Sequence, residues 1–134
     1  MTIATERRLL QTAVALACLV PFSASLMGIA NGAAWLEKGA VATDLDSHFR
    51  YLSGIFLALG VAFASCIPNI ESKGSRLHLL GAMVVSGGLA RLVSLAAVGV
   101  PGGGMLFGFA MELGVVPLLM LWQVGLARRA RTQI

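Results

Sequence analysis

Four long apolar runs, at roughly 9–30, 49–67, 77–98 and 105–127, organise this sequence from end to end, with short polar or glycine-rich breaks between them. At about 1.5 Å of helical rise per residue, each run is long enough to cross a hydrocarbon core of about 30 Å. The pattern predicts an all-α polytopic membrane protein, a four-transmembrane-helix bundle that uses residues 1–134 as a single domain.

The breaks carry the local signals. The stretch 31–47 holds Trp35, Leu36, Glu37, Lys38, Asp44 and Asp46 and is the connection with most side-chain variety. Trp35 fits the usual place of tryptophan at a membrane edge. Asp46 or Ser47 is expected to cap the second helix, and Asp46 stands four residues before Arg50, where opposite charges meet on one helical face. Residues 68–76 read as a turn, and the Gly-Val-Pro-Gly-Gly-Gly segment at 99–104 as a tight hairpin. Pro21 and Pro117 fall inside the first and fourth runs, where each removes a backbone donor; Pro117 is expected to free the carbonyl of Leu113.

Composition agrees with the pattern: 57% of the residues are hydrophobic and 12% charged, with a mean hydropathy of +0.86. An ordinary soluble domain of this size is excluded. The net charge of +4 does not point to nucleic acid, because the basic residues sit at the ends of the apolar runs. Arg7, Arg8, Lys73, Arg76, Arg128, Arg129 and Arg131 fall on one side of the predicted membrane, against Lys38 and Arg50 on the other. The positive-inside rule then places both termini in the cytoplasm, and an even number of spans gives the same answer. The first run also looks like a signal peptide, with small residues after Pro21. Cleavage is not expected, because it would leave three spans and put the Arg-rich C-terminus on the wrong side.

Two charges lie within apolar runs, Arg91 in the third and Glu112 in the fourth. A lone charge at mid-membrane costs about 2.5–3.5 kcal/mol on insertion scales, so such residues pair or line a cavity. Each is seven residues from the hairpin end of its run, which puts both about 10 Å below the external face. Antiparallel neighbours joined by a short hairpin bring them to matched height. Gly87, Gly88, Gly104 and Gly108 lie nearby in sequence and would let the backbones approach. With Asp46, His48 and Arg50 at the start of the second span, they form a candidate polar cluster that either fixes helix register or holds a ligand. Whether Arg91 pairs with Glu112 or with Asp46 stays open at this point.

Other chemistry finds little support. His48 and His78 belong to opposite membrane faces, which rules out bis-histidine haem ligation at one depth. No metal-ligand spacing and no nucleophile motif occurs, and no cofactor is expected. Cys18 and Cys66 read as small buried hydrophobes. Met105, Phe107, Phe109 and Met111 read as lipid-facing or core side chains.

The segments Asp46-Ser47-His48-Phe49-Arg50-Tyr51-Leu52-Ser53-Gly54, Gly87-Gly88-Leu89-Ala90-Arg91-Leu92 and Met111-Glu112-Leu113, followed by Pro117 and Trp122, resemble the bacterial domain-of-unknown-function family 4345, small four-helix inner-membrane proteins. The resemblance runs from the first span to Trp122 and implies a multi-pass protein of the bacterial inner membrane. It also implies that Asp46, Arg50, Arg91 and Glu112 are the family's polar signature; it carries no activity.

The sequence favours a non-enzymatic protein that acts by helix packing, as a homo-oligomer or as an accessory subunit of a larger membrane complex. Its partners would be the lipid bilayer and other membrane subunits, not nucleic acid. The alternative is a binder, or isomerase-like enzyme, for a lipophilic small molecule, using the cluster Asp46, His48, Arg50, Arg91 and Glu112. A transporter or channel subunit is weaker, because one buried acid and one buried base make a poor conduction path.

Overall fold

A computed structural model of the chain describes residues 2–132, and among them every regular element is helical. The order is α1 (Ile3–Asn31), a 3-10 turn (Gly32–Trp35), α2 (Thr43–Ala64), a second 3-10 turn (Ile70–Ser72), α3 (Gly74–Ala97), α4 (Gly103–Ala110), a π turn (Met111–Val115) and α5 (Val116–Arg131). The last three run on without a break, so four helical segments are long and apolar enough to cross a membrane: Ile3–Trp35, Thr43–Ala64, Gly74–Ala97 and Gly103–Arg131. This is a multi-pass membrane protein.

The helix ends follow local chemistry. Thr2 opens α1 by accepting the Thr5 amide on its hydroxyl at 3.2 Å. At the other end Gly32 takes φ +64°, a left-handed conformation that ends a helix at little cost only in glycine. α2 begins at Thr43 after Ala42, which offers no side-chain cap, so Asp46 and Ser47 are inside the helix and neither caps it as expected. Asn69, at φ 54°, turns the chain before α3, and Gly99, at φ 123°, turns it after.

Two compact units divide the chain: residues 1–14 with 66–134, and residues 15–65. α1 therefore contributes its first turns to one and its remainder to the other. In the 15–65 unit, α1 and α2 approach through small residues. A methyl group built on Gly28 would strike the Ser53 side chain, and one on Gly60 would lie 3.3 Å from the Pro21 ring. In the other unit α3 packs against α5 and the π turn. Gly81 is overlaid by Met120 there, and Gly88 by Leu113 and Glu112. The buried apolar residues of this unit, Leu10, Val14, Cys66, Ile70, Leu77, Leu80 and Leu126, are few. Most large apolar side chains point outward, as on a surface whose solvent is lipid.

Candidate functional site

Arg91 meets Glu112. The carboxylate straddles the guanidinium, with Nε of Arg91 donating to Oε1 at 3.1 Å and lying 2.9 Å from Oε2. The pairing left open by the sequence is thus closed within the unit that holds α3 and α5. Gly88, one turn before Arg91, makes the approach feasible: a Cβ there would lie 2.7 Å from Cδ2 of Leu113 and 3.1 Å from Cβ of Glu112. Gly108 stands beside the guanidinium, whereas Gly87 and Gly104 face open space and take no part.

The backbone around Glu112 is unusual. Met111–Val115 form one π turn, in which the Val116 amide donates to the Met111 carbonyl, five residues back. Pro117 explains its position. Continued α geometry would drive the proline ring into the Leu113 carbonyl, and widening the preceding turn relieves that clash without a break in the helix. Such single π turns recur at functional sites. Here the wide turn carries Glu112, which is buried at 8% exposure, while the Arg91 side chain remains 40% exposed.

A second partner of Arg91 escaped the sequence reading. Nη1 donates to the Met105 thioether at 3.1 Å, which makes a residue read as lipid-facing or core an acceptor instead. Nη2 makes no hydrogen bond among the described residues. The guanidinium therefore has Nε on Glu112 and Nη1 on sulfur, in a side chain that is 40% exposed.

Asp46 and Arg50 close a different group, inside the 15–65 unit. Asp46 accepts the Ala33 amide on Oδ1 at 2.9 Å and Nε of Arg50 on Oδ2 at 2.8 Å. Arg50 in turn donates Nη1 to the Ile29 carbonyl and, at 3.4 Å, to that of Ala30. The last carbonyls of α1 lack intrahelical partners and form the negative end of its dipole, so an arginine is well suited to them. Gly32 belongs to the same arrangement, because a Cβ there would collide with the Asp46 carboxylate and lie 2.7 Å from Nη2 of Arg50. The two residues clamp the end of α1 to the first turns of α2. His48 stands apart from the clamp: it is exposed and its ring lies 6.3 Å from that of Tyr51.

A further polar group, unforeseen from the sequence, lies where the first turns of α1 meet α5 and the 66–73 connection. Glu6, only 6% exposed, accepts Nε1 of Trp122 at 3.1 Å and is ion-paired with Arg129. Arg7 pairs with Glu71 at 2.9 Å. Gln11 donates to the Ile67 carbonyl at 2.8 Å, and Gln123, 1% exposed, to that of Ile70 at 3.0 Å. Gly125 lets the Arg129 side chain lie back along its own helix toward Glu6. The only sequence signal was the presence of Glu6, Gln11 and Gln123 near the edges of apolar runs. Among the described residues, no three His, Cys, Asp or Glu side chains form a metal-binding set.

Residues 9–123 match the family described as "Domain of unknown function (DUF4345)", which is most of the chain. No curated protein and no solved structure matches it.

Proposed function

We propose, for a chain that belongs to the DUF4345 family, that it acts by helix packing in the membrane, as a homo-oligomer or as an accessory subunit of a larger complex. The observation that carries this reading is the outer face of α3. Ala82, Ser86, Ala90 and Ser94, spaced four apart, are all exposed, and Leu79, Leu89 and Val93 flank them with exposures above half. A line of small residues bordered by larger ones lets a second helix approach closely, which is how helices associate in lipid. Ser86 already donates to the Ala82 carbonyl at 2.8 Å, so the face makes no polar demand of its own at that point.

The setting proposed is a bacterial inner membrane with both termini cytoplasmic, supported by seven basic residues at one set of span ends against two at the other. Cysteine crosslinking at Ala90→Cys in native membranes tests the packing reading. A crosslinked band expected for wild-type packing should vanish when Ser86→Leu is added. Monomer alone, in membranes and in mild detergent, would sink the proposal.

One observation favours a second reading, a binder for the polar end of a lipophilic molecule: the part-exposed Arg91 side chain beside buried Glu112. Native mass spectrometry of wild type and Glu112→Gln separates the two. A small adduct lost in the variant supports a ligand; a stoichiometric protein partner kept in both supports packing.

A further inference from the structure

The basic end of the 1–14 and 66–134 unit has more charge than its internal pairs consume. Arg7, Arg8, Arg128, Arg129 and Arg131 all belong to this unit, and the acids near them are Glu6 and Glu71. Both acids are spent on Arg129 and Arg7. Arg8, Arg128 and Arg131 are exposed, and their side chains make no ion pair or hydrogen bond among the described residues. Arg128 and Arg131 stand three apart near the end of α5, so they share one helical face. They follow directly on the apolar part of a candidate span, where the end of a membrane helix is expected to meet phospholipid phosphates.

The geometry points to a binding site for an anionic phospholipid headgroup, in which Arg128 and Arg131 hold the phosphate and Arg8 adds to the local field. Guanidinium groups suit phosphate because their donors lie in one plane and can bind two oxygens at once. A single cation near a span end reports orientation; two unspent arginines on one face select among lipids. This inference needs only that the chain is embedded in a bilayer and is independent of whether α3 packs on a partner.

Native mass spectrometry of the full chain in mild detergent, titrated with equal amounts of phosphatidylglycerol and phosphatidylcholine of identical acyl chains, tests it. Wild type is expected to hold phosphatidylglycerol at least about fivefold more often, with roughly equal retention after Arg128→Gln with Arg131→Gln. Lys38→Gln, in the 36–42 connection, should leave the preference intact, which shows that total charge alone is not the cause. Equal retention by wild type, or a preference that survives loss of Arg8, Arg128 and Arg131, would overturn the site. Displacement of the lipid by millimolar inorganic phosphate would reduce it to a general anion site and also overturn the lipid assignment.

Discussion

Glu112 reaches Arg91 from inside the π turn, its Oε2 2.9 Å from Nε, so the buried acid of the last span and the intramembrane base of α3 meet where the helix departs from α geometry. Neither charge has to be carried alone in an apolar medium. The pair also ties α3 to the last span at one register.

Removing one member should therefore cost more than removing both. Glu112→Leu strands Arg91, whose partial exposure softens the penalty, and is expected to destabilise by about 1–3 kcal/mol. Adding Arg91→Leu should recover part of that loss, because an apolar pair of similar volume suits this surrounding. Unfolding in mixed micelles, arranged as a double-mutant cycle, measures the coupling. Additive losses would mean that the pair does not fix the register.

The two neighbouring glycines should behave oppositely. Gly88→Ala places a methyl group 2.7 Å from Leu113 Cδ2 and 3.1 Å from Glu112 Cβ, and the overpacking is expected to cost about 1–3 kcal/mol. Gly87→Ala meets nothing within 4 Å and should be neutral or slightly stabilising through helix propensity. Thermal unfolding midpoints of the two variants settle the comparison.

The spans were legible because apolar run length alone dictates them, although the helices extend past the runs: α1 begins at Ile3 where the run began near residue 9, and α2 begins at Thr43 where the run began near 49. Polar first turns outside the hydrocarbon carry no hydropathy signal. The matched height of Arg91 and Glu112 was legible because a short hairpin fixes the depth of two antiparallel helices, but the choice of Glu112 over Asp46 as the partner of Arg91 was not. The clamp of Asp46 and Arg50 on the end of α1 was not, since it depends on which carbonyls of another helix come within reach. Nor was the π turn: Pro117 announces a disturbance, but α geometry can be restored by a kink or by a widened turn, and only packing chooses. Met105 escaped because a thioether seldom acts as an acceptor.

The α1 clamp gives a localised prediction. Arg50→Met removes the donor from the Ile29 and Ala30 carbonyls while keeping the aliphatic bulk. Amide hydrogen exchange is expected to speed up over the last turn of α1 and at Ala33, with the middle of α2 unchanged. Gly32→Ala should show the same pattern more strongly, because it adds φ strain to a collision with Asp46. Uniformly faster exchange along α1 and α2 would mean that the clamp supports the whole unit and not just a helix end.

Glu6 offers the sharpest separation of hydrogen bond from ion pair. Its carboxylate serves a neutral donor, Trp122 Nε1 at 3.1 Å, and a cation, Arg129. Glu6→Gln keeps an acceptor for the indole and loses only the charge; the Arg129 side chain is 57% exposed and can turn to water, so the loss should be under about 1 kcal/mol. Glu6→Ala leaves the indole N–H without its acceptor in a part-buried place and is expected to cost about 1–3 kcal/mol. In a Trp35→Phe background the emission of Trp122 reports the site directly, since these are the two tryptophans of the chain. The Gln variant should emit like its parent and the Ala variant should shift. Equal shifts in both would assign the anchoring of the first turns of α1 to the Arg129 charge and remove the indole bond from the account.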